Sequence, residues 1–380
     1  MPIGAFRQSL NLANPVSAPV IDYGIFRGFV RSASTTTVNA YNTAGTALGT
    51  AFTHSCGTIH IIRTKKLPNS NDQIIAIGGT TGRRVLHFNA ATNVFTSIYS
   101  STAYSTLTTC DITYNTTYDK FYVAWGANQA TTTNRVRLST GTLSSPTSAM
   151  TEAGLSDPGA AVYSCCWTPN GNTLAVRTAN TIRTYYRASG DVMTLNATTY
   201  SLAGGVTGNS YEDSSWNADG TVFVTGQDSN LITRYSLGTN GALTSLGNTT
   251  VSTAIPTNSR SLPAFNPNPD YANVMAVAGD ILGGSSNSGW TLMYFASGGS
   301  GSLTSNPGGN VSTASINQIR QVRWSPAGDR IVALFNNTTT PVNRYYSFTY
   351  SEGSTATTAS GGTFSSITPV SDYSFDWIYY

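Results

Sequence analysis

Histidine is the side chain best suited to moving protons near neutral pH, and this chain of 380 residues has three of them, His54, His60 and His87. His60 and His87 fall inside strand-like patterns and read as structural residues. The three glutamates, Glu152, Glu212 and Glu352, lie in Gly-, Ser- and Thr-rich connections, and no two share a stretch of pattern. Serines abound, but none stands in a G-x-S-x-G turn between a strand and a helix, where a nucleophile would be exposed. Asp219, Asp228, Asp270, Asp280 and Asp329 occupy turns without forming a D-x-D-x-D run. Turn aspartates of that kind hydrogen-bond their own backbone, so no metal site is expected. Cys56, Cys110, Cys165 and Cys166 show no zinc-like spacing. They read as small core hydrophobes, with a disulfide between neighbouring units left open. The adjacent basic pairs Lys65-Lys66 and Arg83-Arg84 read as solvated strand ends. With no acid–base pair in sight, the chain is expected not to be an enzyme and to carry no cofactor.

The elements that would position any site repeat along the chain. Trp167-Thr-Pro-Asn-Gly171 leads into Asn-Thr-Leu-Ala-Val176, Trp216-Asn-Ala-Asp-Gly220 into Thr-Val-Phe-Val224, and Trp324-Ser-Pro-Ala-Gly328 into Asp-Arg-Ile-Val-Ala333. Phe265-Asn-Pro-Asn-Pro269 is a looser copy, Tyr114 and Trp377 anchor two more, and an earlier one begins near Leu67. Anchors from Tyr114 to Trp377 recur every 49 to 59 residues, about one four-stranded blade each. The runs behind them are β-branched and aromatic, alternate in polarity, and end at Gly, Asn, Asp or Pro, as antiparallel strands require. No apolar 3.6-residue period persists long enough for a substantial helix. The expected fold is all-β, a seven-bladed β-propeller. Little follows Trp377, while Ile25–Val30 and Thr37–Tyr41 look like strands lacking an anchor before them. The C-terminal strand is therefore expected to complete the N-terminal blade and close the ring, which removes exposed sheet edges.

The Trp-Ser/Thr-Pro-x-Gly turn before an apolar strand resembles WD-repeat and YVTN-type β-propellers. The run Tyr235-Ser-Leu-Gly-Thr-Asn-Gly-Ala-Leu-Thr is similar to the lactonase branch of that group. The resemblance covers the chain from about residue 22 and implies fold far more than function. The Trp-Asp endings and Gly-His openings of WD repeats are absent, so that family's histidine network is not implied.

Composition sets the expected context. Only 10% of residues are charged, against about a quarter in ordinary globular chains, while Ser, Thr and Asn make up roughly a third. An apolar fraction of 39% with 21 Tyr is enough to fill the spaces between blades and argues against disorder. A net charge of +3, scattered as it is, makes no nucleic-acid footprint. No apolar stretch is long enough to span a membrane, and the first residues carry no secretory pattern. A neutral, hydroxyl- and amide-rich β surface made without an export signal points to a bacteriophage virion protein, located in the particle.

The expected organisation is an N-terminal docking arm, residues 1–21, and a propeller over 22–380. The arm offers Ile3, Phe6, Leu10 and Leu12 to other virion proteins. Length variation gathers in the links between second and third strands and between blades, which emerge on one face, as on repeat scaffolds that bind partners. Trp125, Asn128, Asp228, Asn230, Asp280, Asn287 and Asn336 are the candidate binding residues there, suited by stacking and neutral hydrogen bonds to a host-surface glycan. The leading expectation is thus a non-enzymatic tail or capsid-associated protein. The first alternative is a decoration protein contacting only other virion proteins. The second is a lactonase-like enzyme, which predicts charged side chains clustered at one mouth of the central channel.

Overall fold

Short β-branched runs punctuated by turn residues make antiparallel strands, and the computed structural model holds almost nothing else. It describes the chain except residues 1–27, 33–35, 43–45, 103–106, 128–134, 189, 203–213, 229, 252–258, 282–287, 296–302, 306–310, 314–317, 338–341, 350–373 and 379–380. The docking arm with Ile3, Phe6, Leu10 and Leu12, and the proposed boundary at residue 22, lie outside the described residues.

The first sheet has β1 (Gly28–Ser32), β2 (Thr37–Asn42) and β3 (Ala47–Thr53). The second is β4 (Ile59–Lys66), β5 (Gln73–Gly79), β6 (Arg83–Asn89) and β7 (Val94–Ser101). The third is β8 (Leu107–Asn115), β9 (Lys120–Ala127), β10 (Val136–Thr142) and β11 (Thr151–Gly154). The fourth comprises β12 (Val162–Trp167), β13 (Thr173–Thr178), β14 (Thr181–Arg187), β15 (Met193–Leu195) and the short β16 (Tyr200–Ser201). The fifth is β17 (Ser214–Trp216), β18 (Val222–Gln227), β19 (Leu231–Leu237) and β20 (Leu243–Thr250). The sixth is β21 (Ser259–Phe265), β22 (Val274–Ile281), β23 (Ser288–Phe295), β24 (Leu303–Ser305) and β25 (Val311–Thr313), and the seventh β26 (Gln318–Trp324), β27 (Arg330–Asn337) and β28 (Val342–Thr349). The last strand, β29 (Phe375–Ile378), returns to the first sheet and pairs antiparallel with β1, Phe29 opposite Trp377. No α-helix occurs among the described residues.

The glycine of the anchor turn has a backbone reason. Gly171, Gly220 and Gly328 all sit at positive φ, 69°, 74° and 73°, where a Cβ is disfavoured. Each turn closes in the same way: Gly171 N–H donates to Thr168 O at 2.8 Å, and Thr168 N–H donates to Thr173 O at 2.8 Å. In the third sheet Asp119 takes the left-handed position instead, at φ 53°, after a single 3-10 turn capped by Asn115.

Innermost strands β29, β4, β8, β12, β17, β21 and β26 touch in that order. The circle closes through Gln321 of β26, whose Nε2 donates to Phe375 O at 3.1 Å and whose Oε1 accepts from Phe375 N–H at 3.0 Å. It is a β-propeller. Side chains repeat this bridging elsewhere: Asp376 accepts from Thr64 N–H, Asp111 from Trp167 N–H, and Ser215 from Phe265 N–H. Two anchor indoles add a second tie, Trp216 Nε1 donating to Cys166 O and Trp324 Nε1 to Ala264 O.

The core is divided among the sheet interfaces. One apolar cluster lies between the first and second sheets, another between the second and third, and so on round to the fifth and sixth. A second strand such as β5, β13 or β18 is covered on both faces, so every residue along it is buried. All four cysteines are free thiols, with Cys110, Cys165 and Cys166 on inner strands.

Candidate functional site

Among the inner strands, β4 carries basic residues, as β21 (Arg260) and β26 (Arg320, Arg323) also do. Arg63 and Lys65 stand two residues apart on β4, hence on one side of the strand. The strands on either side of β4 each contribute a carboxylate, Asp376 from β29 and Asp111 from β8. Two cations and two carboxylates from three consecutive blades thus lie within electrostatic reach of one another.

Each carboxylate is held rigidly by backbone donors. Asp376 Oδ2 accepts from Thr64 N–H at 2.8 Å and Oδ1 from Trp377 N–H at 3.0 Å. Asp111 Oδ2 accepts from Trp167 N–H at 2.7 Å and Oδ1 from Ile112 N–H at 2.8 Å. Thr64 Oγ1 donates to Trp377 O, and Lys65 Nζ lies 5.6 Å from the centre of the Tyr114 ring.

Exposure and electrostatics are those of an enclosed but wetted site. Asp376 and Arg63 are 9% and 8% exposed, whereas Lys65 and Asp111 are half-buried. Lys65, Asp111 and Asp376 lie deep enough that desolvation is the largest influence on their titration. Burial raises Asp376 to about 6, although Arg63, the two backbone donors and Lys65 all favour its ionised form. Burial also raises Asp111, against Arg63, the Trp167 and Ile112 donors and Lys65. Lys65 is lowered by burial, with Asp111 and Asp376 opposing. A carboxyl that exchanges its proton near neutrality beside two cations can deliver general-base catalysis and hold an oxyanion.

This overturns the expectation that the chain lacks convergent titratable groups. Lys65 and Arg83, read as solvated strand ends, both turn inward. Arg83, with a side chain 2% exposed, pairs with Glu152 at 2.5 Å across the second and third sheets. Glu152 also meets Arg137 at 3.1 Å and accepts from Tyr99 Oη. Adjacent residues of a strand face opposite sides, so one member of each basic pair had to point into the protein.

The other candidates scatter. Trp125, expected to offer a sugar-stacking surface, is 0% exposed and donates Nε1–H to Ser139 Oγ at 2.9 Å. The guanidinium of Arg83 lies 5.7 Å from its ring centre. It is a core residue, because second strands are sandwiched between blades. Asn230 is buried at φ 61° and donates to Val251 O at 3.0 Å, shaping a turn. Asp228 is half-buried in the same turn. Asp280 and Asn336 lie within strands, opposite Arg260 and Gln318, rather than in loops. Asn128 and Asn287 lie outside the described residues, as do Glu212 and Glu352.

The histidines take structural places. His87 Nε2 is 3.1 Å from Asp72 Oδ2, and burial lowers both His60 and His54, the latter to about 4. No group of three or more His, Cys, Asp and Glu suited to a metal occurs among the described residues. Among those residues no helix is long and apolar enough to cross a membrane.

Comparison with known proteins bears on the fold. No family model matches the chain, and no curated protein matches it in sequence. Solved structures do. The periplasmic gluconolactonase PpgL of Pseudomonas aeruginosa is 14% identical with a TM-score of 0.62, covering 93% of this chain and 99% of its own. A Bacteroides uniformis protein provisionally described as a 6-phosphogluconolactonase is 11% identical with a TM-score of 0.61 over the same shares. Sqt1 of Chaetomium thermophilum, solved bound to the N-terminus of ribosomal protein L10, is 13% identical with a TM-score of 0.56, covering 84% of this chain and 80% of its own. Propellers of this shape therefore include named lactonases. Together with the charged cluster on β29, β4 and β8, that removes the ground for reading the chain as a non-enzyme. None of these three structures bears on a virion role.

Proposed function

We propose that the chain is a lactonase-like propeller enzyme that hydrolyses a lactone at the cluster of Arg63, Lys65, Asp111 and Asp376. One observation carries the reading: two carboxylates and two cations converge from three adjacent inner strands, in a chain with only 10% charged residues. The fold shared with a gluconolactonase supports the choice of a lactone.

In this reading Asp376, raised to about 6, is the general base. It takes a proton from a water molecule as that oxygen bonds to the lactone carbonyl carbon. The carbonyl electron pair moves onto its oxygen, and the charge that develops there is met by Lys65 and Arg63. Collapse of the tetrahedral intermediate reforms the carbonyl and breaks the ring C–O bond. The departing oxygen recovers the proton from Asp376, leaving a hydroxy acid. Asp111 keeps the two cations aligned through charge, its own position fixed by Trp167 N–H.

The test uses D-glucono-1,5-lactone at pH 6.5, following acid release and subtracting spontaneous hydrolysis. The expected result is saturable turnover that falls at least a hundredfold in Lys65→Met and Asp376→Asn, with circular dichroism confirming the fold of each. Folded wild-type protein that adds nothing to the spontaneous rate refutes the proposal.

A further inference from the structure

A concavity lies on the side of the ring where the anchor turns emerge, and none of the lactone chemistry uses it. It is an open depression of about 440 Å³ between turns of the third, fourth and fifth sheets, within the size range of small-ligand sites. Its lining is amide and phenol: Asn115 and Tyr118 from one blade, Asn172 and Tyr186 from the next, Asn240 from the third.

The floor is fixed from beneath. Arg187 lines the base, and its guanidinium donates to Asp191 at 2.6 Å and to Gly171 O at 3.2 Å and lies 4.1 Å from the centre of the Tyr122 ring. Asp191 also accepts from Lys120 at 2.5 Å and from Tyr122 Oη. Burial alone would raise Asp191, but Lys120, Tyr122 and Arg187 hold its carboxyl below the ordinary range. The one cation in the lining thus shares its carboxylate with Lys120 and is braced in place rather than fully neutralised.

The walls are equally set. Asn115 Oδ1 accepts from Thr117 and Tyr118 N–H, which locks the turn that presents the Tyr118 ring at 37% exposure. Asn240, at φ 55°, is exposed, and its carbonyl accepts from Asn196 Nδ2. Asn, Thr and Tyr side chains outnumber the single lining cation, and such neutral hydrogen-bonding groups with two tyrosine rings suit a polyhydroxylated, uncharged ligand. We infer that the pocket formed by Asn115, Tyr118, Asn172, Tyr186 and Asn240 is a binding site for a neutral saccharide, separate from the cluster on the inner strands.

The experiment is saturation-transfer NMR and calorimetry on the whole protein with three probes: maltotetraose, cellotetraose and chitotetraose. At least one is expected to bind saturably. Its affinity is expected to fall tenfold or more in Tyr118→Ala and in Asn172→Ala, two exposed turn residues. Val94→Ser, exposed on the distant second sheet, is expected to bind as wild type. Thermal melting confirms that the variants fold. Absence of saturable binding by all three probes overturns the inference, and so does binding that Tyr118→Ala and Asn172→Ala leave unchanged. Neither result touches the lactone proposal, which is read by turnover.

Discussion

Replacing Gln321 tests how the ring is held closed. Its side chain, 1% exposed, supplies the two hydrogen bonds that join β26 to β29, at 3.1 and 3.0 Å to the backbone of Phe375. Phe375 is 0% exposed, so no solvent replaces a lost partner. Gln321→Met keeps most of the side-chain volume and removes both bonds. Each ordinary bond contributes about 1 kcal/mol net, but stranding a buried backbone donor or acceptor costs roughly 1–3 kcal/mol. With one donor and one acceptor stranded, the loss is about 3 kcal/mol, a large part of the roughly 5–15 kcal/mol that stabilises a folded domain. Urea unfolding followed by tryptophan fluorescence measures it, and amide exchange at Phe375 localises it. A Gln321→Met protein within about 0.5 kcal/mol of wild type, with Phe375 still protected, refutes the claim that this glutamine is the latch.

Four further outcomes follow from the same geometry. Asp376 is raised to about 6 in the folded chain, so its ionised form is disfavoured there. Stability should therefore rise as pH falls from 7.5 toward 4.5, by at most roughly 3 kcal/mol, and Asp376→Asn should remove that part of a urea-unfolding pH series. Trp125→Ala should cost about 3–5 kcal/mol because the ring is wholly buried, and an unchanged denaturation midpoint contradicts its core placement. Arg83→Met leaves Glu152 with Arg137 as its remaining cation and should cost about 2–3 kcal/mol; Arg83→Met with Glu152→Gln should recover part of it. Gly328→Ala places a Cβ 2.0 Å from Asn266 Oδ1 at a φ of 73°, so its melting temperature should drop by several degrees, about 2 kcal/mol or more.

The parts of the molecule visible in the sequence are those fixed by local chemistry. The anchor turn needs a residue tolerant of positive φ, and Gly171, Gly220 and Gly328 stand at the same offset from their tryptophans. The missing strand of the first sheet could be found because Trp377 has an anchor's character with too little chain behind it. The candidate site was hidden for a geometric reason. Asp376, Lys65 and Asp111 come together only when the ring closes, and no local spacing relates them. The available signal was a charge in the interior of an inner strand, since Asp111 and Asp376 sit among Thr, Ser, Cys and Trp where burial is costly. Trp125 misled because its place beside a loop resembles a surface position, whereas strand β9 is covered from both sides by neighbouring sheets.

Closure by β29 also sets a timetable. The contact between Ile62 N–H and Ser374 Oγ joins residues 312 apart in the chain. At about 5–20 residues per second, a ribosome needs roughly 15–60 s to deliver the second partner after the first. Throughout that interval the N-terminal sheet has three strands and an unpaired inner edge facing the axis. An edge of that kind accepts any matching strand, and the nearest match in a polysome is the 375–378 segment of a chain further along in synthesis. Expression at high density should therefore yield dimers in which two nascent rings have exchanged their last strand, and slow release or dilution should favour the monomer.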